Sequence, residues 1–159
     1  MSVTEHNCWL IKTDVDEYSS SDFEKERICE WEGIRNYQAR NFIRKMRIGD
    51  LVFLYHSKSK NPGIYSLGRV VKESYPDPSQ FDRTSRYYDP GSNPKNPRWY
   101  TVQIEFVKKL AIPSDMINFA LKNNHFFQRQ KRLTILPLTS VEAELLLTGL
   151  EQNEASNQK

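Results

Sequence analysis

The chain has 159 residues, of which 38% are hydrophobic and 27% are charged, and these values fit a single soluble domain with a substantial core. No apolar run approaches the roughly 18 to 20 residues that cross a bilayer, which excludes a membrane span. The first residues lack a basic segment followed by an apolar one, so we expect no secretory signal and an intracellular protein. A formal net charge of +3 is too small for a protein that coats a nucleic-acid duplex by charge alone.

Apolar spacing predicts the elements in the first half of the chain. Residues 8–12 (CWLIK) predict a strand that enters the core, and residues 19–26 (SSSDFEKE) predict a helix with acidic side chains in its first turns. Apolar side chains three and four positions apart predict a helix over residues 36–48. Two further strands, over residues 50–57 and 64–74, are expected to form a hairpin, and the first is apolar enough to be covered on both faces.

A proline-rich segment follows this hairpin. Residues 75–98 contain five of the eight prolines and show little periodicity, which predicts a long loop. The loop also contains four aromatic side chains, those of Tyr75, Phe81, Tyr87 and Tyr88. Because disordered segments are normally poor in aromatic residues, we expect the loop to be at least partly ordered.

The last third of the chain predicts two strands and two helices. Residues 99–107 alternate cleanly between apolar and polar side chains, as a strand with one buried face does. Residues 113–124 have helical spacing after a proline and a serine, and residues 132–138 predict a closing strand. Residues 139–150 predict the final helix, with a threonine or serine as its N-cap.

The element order indicates one antiparallel, hairpin-containing α+β domain rather than alternating β-α-β units. We place this domain over residues 1–150 and expect residues 151–159 to form a frayed polar tail. Cys8 and Cys29 lack metal-ligand spacing, and we expect both to be reduced thiols in or near the core.

Histidine spacing and catalytic motifs give little support to an enzyme or a metal site. His6, His56 and His125 are scattered, and no cysteine pair completes a ligand set. The sequence has no glycine-rich phosphate loop and none of the common hydrolase or metalloprotease motifs. The adjacent pair His56 and Ser57 is the one catalytic candidate, but neighbours on a strand point to opposite faces. We therefore interpret this pair as a polar strand end.

The three kinds of group that a nucleobase pocket needs are all present: flat rings for stacking, polar groups for the base edge and cations for phosphates. The rings are Trp31, Tyr37, Tyr55 and Trp99; the polar groups are Asn36, Gln38, His56 and Ser57; the cations are Lys12, Arg35, Arg40, Arg44 and Lys58. Trp9 and Tyr55 fit a core role better, and arginines four positions apart more often form a solvated helix face. Composition and spacing alone leave nucleobase binding as one hypothesis among several.

A series of motifs carries a family resemblance. In chain order they are WLIK, EWEGIRNYQARNF, GDLVFLYHS, YPDPSQFD, RYYDP, PRWYTVQIEFV and RLTILPL. From about Cys8 to Leu150 the chain resembles the EVE domain family. The resemblance implies a PUA-like α+β fold, a bent and mostly antiparallel β-barrel flanked by helices. It also implies a non-enzymatic module for RNA or DNA with a methylated or hydroxymethylated base, single-stranded or flipped from a duplex into an aromatic pocket, with no cofactor, metal or membrane partner.

The resemblance also implies roles for residues inside the matching motifs. We expect the base pocket to be formed by Trp31, Asn36, Tyr37, His56, Ser57 and Trp99, and the nucleic-acid backbone to be held by Lys12, Arg35 and Arg40. In this hypothesis the two tryptophans enclose the base and the polar groups read its edge. Two departures from the family pattern stand out: Asp14 and Val15 replace a typical Glu-Pro after WLIK, and no glycine lies near Arg132.

Two rival functions remain open. An enzyme acting on RNA or on a modified nucleoside would use His56 as its general base, whereas a protein-interaction module would bind its partner through the loop at residues 75–98. No basic extension precedes Cys8, so we expect a cytoplasmic protein, in a bacterial setting.

Overall fold

The computed structural model describes the backbone of residues 7–157 and the side chains of residues 7–149. In chain order the elements are β1 (Cys8–Asp14), α1 (Ser20–Glu26), β2 (Ile28–Glu30), α2 (Tyr37–Ile43), β3 (Leu51–Lys58), β4 (Gly63–Pro76), a 3₁₀ turn (Pro78–Phe81), β5 (Tyr100–Pro113), α3 (Ser114–Ala120), α4 (His125–Arg129), β6 (Ile135–Leu138) and α5 (Ser140–Asn157). Within the described range, no helix is long and apolar enough to span a membrane.

The strands form one six-stranded sheet in the order β2-β5-β4-β3-β1-β6. Its neighbours are antiparallel except for β1 and β3, which run parallel. The predicted α+β class and the mostly antiparallel sheet are therefore confirmed. Two details differ from the prediction. The edge strands β2 and β6 are not paired with each other, so the sheet is open rather than a closed barrel, and the connection from β1 to β3 is a crossover.

Strands β1 and β3 lie inside the sheet and carry its core. Every side chain from Leu51 to His56 is buried, as expected for an apolar strand covered on both faces. Trp9 and Tyr55 are also buried in the core, as predicted. The indole Nε1 of Trp9 donates to the Asp50 carboxylate at 3.0 Å, so the polar atom of this large side chain has a partner.

Helix ends follow local capping chemistry. Ser19 and Asp22 form a capping box at the start of α1, and the side chain of Asn36 caps α2 by accepting from the backbone N–H of Ala39. Helix α2 ends at Ile43, earlier than predicted, because the N–H groups of Lys45 and Met46 donate to the third residue back instead of the fourth. Gly49, with a φ of +94°, then directs the chain toward β4.

Other boundaries differ from the prediction as well; strand β5, for example, continues to Pro113 instead of ending at residue 107. The helix predicted over residues 113–124 is α3, which ends at Ala120, and a further helix that was not predicted, α4, follows because Asn124 caps a new start. The short edge strand β2 was not predicted. Helix α5 continues to Asn157, whereas residues 158–159 of the predicted tail lie outside the described residues; the fraying of this tail and the single-domain boundary stay predictions.

The proline-rich loop is ordered by a buried amide. The Gln80 side chain donates to the carbonyl oxygens of Asp77 and Trp99, at 2.7 and 2.8 Å, and accepts from Ser92 Oγ at 2.6 Å. These bonds join the two ends of the loop and satisfy polar groups that water does not reach. The loop is consequently a fixed wall of the molecule rather than a loose connection.

Candidate nucleic-acid interface

A cleft of about 1070 Å³ opens at one end of the sheet. It lies between the end of β1, the residues around α1, the segment from β2 to α2, the proline-rich loop and the residues that precede β6. Its volume is at the upper end of the range of small-ligand sites, about 300 to 1,000 Å³, so an extruded nucleobase fits inside.

Three aromatic rings line this cleft: Trp31, Tyr18 and Tyr87. The Trp31 and Tyr18 rings pack edge to face, with centroids 5.7 Å apart. The Trp31 backbone is fixed to β5, because its N–H donates to Val102 O at 3.0 Å and its carbonyl accepts from Thr101 Oγ1 at 2.6 Å. The indole is therefore held in place before any ligand arrives, which lowers the entropy lost on binding.

Tyr87 reaches the cleft by packing directly on Gly33. The φ of Gly33 is +86°, and a Cβ atom at this position would lie 2.5 to 2.7 Å from carbons of the Tyr87 ring. Both the positive φ and the close approach of the ring require glycine. The sequence motif around Trp31 thus contains a glycine because an aromatic side chain from the distant loop covers it.

Arg35 connects the same segment to the proline-rich loop. Its guanidinium donates to Tyr87 O at 2.7 Å, to Ser79 Oγ at 3.1 Å and to the fully buried carboxylate of Asp77 at 3.2 Å. Asp77 also accepts from the N–H of Gly33 at 2.8 Å. The donors of Arg35 are therefore directed at protein groups, and this residue positions the Tyr87 wall instead of lying free to hold a phosphate as the sequence predicts.

The cleft is lined by charged side chains of both signs. The carboxylates belong to Asp14, Glu17, Glu26, Glu30 and Glu32, and the cations besides Arg35 belong to Lys12, Lys58, Arg86, Lys131 and Arg132. Burial, followed by repulsion from Asp77 and Glu30, raises the pKa of Glu32. Carboxyl groups accept from the amino group of a base, whereas Lys and Arg attract phosphate, so the lining contains groups suited to each half of a nucleotide.

Lys12 lines the cleft, and its contact with the nucleic-acid backbone stays a prediction. Its Nζ is 5.3 Å from the centroid of the Phe127 ring, and the Nζ of Lys131 is at the same distance from that ring. Burial and then repulsion by Lys131 lower the pKa of Lys12. Two ammonium groups thus converge on one ring at the edge of the cleft.

Four predicted site residues lie outside the cleft, and the first three form one stack beside it. Trp99 is 6% exposed, and its Nε1 donates to Asp89 at 2.7 Å. The exposed ring of Tyr37 stacks on Trp99 at 4.9 Å, and the Arg40 guanidinium lies 4.8 Å from the Tyr37 centroid. This stack attaches α2 to the proline-rich loop. The structure therefore gives these side chains contacts within the fold rather than places in the cleft.

His56 is the fourth. It is 3% exposed, and its Nε2 accepts from the N–H of Ser20 at 3.1 Å, at the start of α1. Burial lowers the pKa of its imidazole.

Ser57, the next residue, lines the cleft, as alternation along a strand requires. Asn36 also lines the cleft, but its Oδ1 is occupied by the N-cap bond.

His56 gives the fold a pH dependence. Its folded pKa lies below the ordinary value of 6.5, so the unfolded chain binds a proton here at a higher pH than the folded chain does. The stability contributed by the neutral imidazole is complete above about pH 6.5 and is lost as the pH falls through that value toward the folded pKa. We expect urea unfolding to show a smaller loss between about pH 7.5 and about pH 5.5 in His56→Gln than in the unmodified chain. The exposed His125→Gln is the control, and an equal effect of both changes would contradict this assignment.

Sequence reasoning missed the cleft residues that come from other parts of the chain. Tyr18 follows β1, Arg86 and Tyr87 belong to the proline-rich loop, and Lys131 and Arg132 precede β6. The aromatic content of the loop indicated order but not the direction of any ring. The basic run RQKR at residues 129–132 was the available signal for cations on this side. Among the described residues no group of three His, Cys, Asp or Glu side chains is arranged to hold a metal ion.

A mixed sheet flanked by helices, with this cleft at its end, defines a PUA-like domain. The chain belongs to the EVE domain family, whose sequence model matches residues 7–149. It is 40% identical to thymocyte nuclear protein 1 of Homo sapiens over 172 aligned positions, which cover 93% of this chain and 75% of the human protein.

Two solved structures show the same fold at similar identity. A protein from Pseudomonas syringae superposes with a TM-score of 0.82 at 35% identity, covering 89% of this chain and 97% of that one. The human THYN1 protein, in complex with 5-methylcytosine-containing DNA, also gives a TM-score of 0.82 at 35% identity, covering 91% of this chain and 98% of that one. The resemblance predicted from the sequence motifs is thus confirmed.

Proposed function

We propose that this protein is a nucleic-acid-binding module that recognises a methylated base in its cleft. The observation that carries the proposal is a cleft with an aromatic wall, built from Trp31, Tyr18 and Tyr87, whose lining also contains both carboxylates and cations. The human relative bound to 5-methylcytosine-containing DNA supports the same class of ligand.

The chemistry of the cleft fits a base outside its stack. Trp31 and Ile34 offer apolar surface against which the added methyl group loses contact with water. Extruding a base from a duplex costs a few kcal/mol, and stacking on aromatic rings returns about 1 to 3 kcal/mol per base. Base flipping is therefore part of the proposal for duplex ligands, whereas a single strand binds without that cost.

In this proposal the protein binds the modified base and does not catalyse a reaction. The rival enzyme would use His56 as general base, but this imidazole is buried and accepts a hydrogen bond from Ser20. The rival interaction module would use the proline-rich loop, but Arg86 and Tyr87 of that loop line the cleft, so the loop serves the same site. The proposed ligands include RNA as well as DNA. The proposed location is the cytoplasm.

The test is a fluorescence anisotropy titration with labelled oligonucleotides, DNA and RNA, that carry one 5-methylcytosine or an unmodified cytosine. We expect tighter binding of the methylated oligonucleotide, with a preference that persists when the salt concentration is raised, because stacking is less sensitive to salt than phosphate contact is. Equal and strongly salt-dependent binding of all oligonucleotides would show only a basic surface and would contradict the proposal.

A further inference from the structure

A second, smaller cavity of about 330 Å³ adjoins the cleft, and we refer to it as the side groove. It shares three lining residues with the cleft, namely Asn36, Lys131 and Arg132. Residues that line the side groove alone include Gln38, Arg129 and Gln130. The cavities are therefore neighbours along one surface, separated by side chains that can contact ligands in both.

The boundary between the two cavities is rich in cations without carboxylate partners. Lys131 and Arg132 at the boundary, and Arg129 in the side groove, form no ion pair with any described carboxylate. Arg86, another cation of the cleft lining, is by contrast paired with Glu17 at 2.9 Å. Lys131 also repels Lys12, as the convergence of both ammonium groups on Phe127 shows. An anion at this boundary relieves the repulsion and meets the side chains of Lys131 and Arg132, which have no carboxylate partner among the described residues.

The side groove also offers groups that read a base edge. Gln38 and Gln130 present side-chain amides with no hydrogen bond to another described residue, and such amides pair with bases through one donor and one acceptor. Its volume of 330 Å³ is close to the lower limit of small-ligand sites, about 300 Å³. A single base with its sugar matches a cavity of this size.

We infer that the side groove holds the nucleotide adjacent to the methylated one, with the linking phosphate at Lys131 and Arg132. The ligand of this protein is then a strand of at least two nucleotides, read at both, rather than a free modified nucleoside. Gln38 and Gln130 contact the second base, and Arg129 contacts the phosphate beyond it. This inference rests on the proposed function of the cleft.

The experiment is an NMR titration of the 15N-labelled protein, which follows weak binding and resolves the two cavities. The Trp31 indole N–H reports on the cleft, and the side-chain amides of Gln38 and Gln130 report on the side groove. The ligands are 5-methyl-2′-deoxycytidine and two dinucleotides that carry it on the 5′ or the 3′ side. We expect one dinucleotide to bind about tenfold more tightly than the nucleoside and to shift both sets of signals.

Arg129→Gln tests the groove itself, since Arg129 is exposed and forms no described hydrogen bond through its side chain. We expect this change to reduce the ratio of dinucleotide to nucleoside affinity about threefold. Arg83→Gln is the matched control, because Arg83 is also exposed, carries the same charge and lines neither cavity. An equal reduction in both variants would overturn the inference, because it would indicate net charge alone.

Failure of the inference is distinguishable from failure of the proposed function. If the nucleoside shifts the Trp31 signal and neither dinucleotide binds more tightly, the side groove is not a subsite although the cleft binds the base. If the nucleoside, the dinucleotides and longer methylated oligonucleotides all leave the Trp31 signal unchanged, the function proposed for the cleft is wrong and the inference falls with it.

Discussion

Replacing Trp31 with alanine is expected to weaken binding of a methylated oligonucleotide by roughly 5- to 150-fold, the equivalent of about 1 to 3 kcal/mol of lost base stacking. The indole forms part of the aromatic wall and is fixed by backbone bonds to β5. Those bonds use main-chain atoms, so they survive the substitution. Affinity is measured by the same anisotropy titration, after the melting temperature has shown that the variant is folded.

Tyr37→Ala is the matched control for this prediction. Tyr37 is an exposed aromatic residue a few positions further along the chain, and the sequence predicts it to be in the pocket as well. Its ring stacks on Trp99 outside the cleft, so we expect binding to change by less than about threefold. Trp31→Phe retains an aromatic surface and should restore part of the affinity. A larger loss in Tyr37→Ala than in Trp31→Ala would place the base on the other side of the Gly33 segment.

Asp77→Ala is expected to lower the free energy of unfolding by about 3 kcal/mol, the lower end of the range for breaking a buried ion pair. The carboxylate is fully buried and accepts from the backbone N–H groups of Gly33 and Ser79 as well as from Arg35. Its removal leaves these donors unsatisfied, but Arg35 is 22% exposed, so water reaches its charge and moderates the loss. Urea unfolding followed by fluorescence measures the change.

Glu73→Ala provides the comparison. Glu73 pairs with Arg47 at 3.1 Å, but 43% and 70% of the two side chains are exposed, and exposed pairs contribute less than about 1 kcal/mol. A double-variant cycle of Asp77→Ala with Arg35→Ala should show a coupling of more than about 1 kcal/mol, because the two residues share one network. Similar losses in Asp77→Ala and Glu73→Ala would mean that the proline-rich loop is held by other contacts.

The elements that the sequence predicts best are those whose side chains have one clear environment. The buried run of β3 and the alternation in β5 depend on local pattern and match the structure. The parallel pairing of β1 with β3 was not predictable from such patterns, because hydrophobic alternation does not state which strand lies beside which. The sequence predicts that Gly49 ends α2, but the helix already ends at Ile43, where Lys45 and Met46 form turn bonds to the third residue back that apolar spacing does not reveal.

The same distinction applies to the site. Trp31, Ser57 and Lys12 lie in segments that the fold directs toward the cleft, and their placement there agrees with the family resemblance. Trp99 fits the polar face of its strand in the sequence, yet the proline-rich loop folds over it and supplies Asp89 as a partner for its indole. The alternation of a strand does not show that a residue such as Trp99 is buried by a loop, because the loop itself has no periodic pattern.

Tyr87 and Lys131 show the opposite error. Their positions depend on two long-range contacts, the packing of a ring on Gly33 and the approach of the segment before β6 to β1. Neither contact can be predicted from the local sequence. The packing of the Tyr87 ring does explain why Gly33 follows Trp31 in the motif. The sequence therefore predicted only some of the residues that form the aromatic wall and the cationic part of the cleft lining.

The pairing of β1 with β6 has a consequence for the nascent chain. The N–H of Lys12 donates to Thr134 O at 2.8 Å, so the cleft joins two segments that are far apart in the sequence, the second synthesised long after the first. Contacts with such large sequence separation form late, because closing the intervening chain costs entropy first. Residues 12 and 134 are 122 positions apart (134 − 12), so at about 5 to 20 residues per second β1 waits roughly 6 to 24 seconds for this partner. A translation product that ends before the RQKR run therefore lacks one side of the cleft, and the proposed binding function requires chains synthesised past β6.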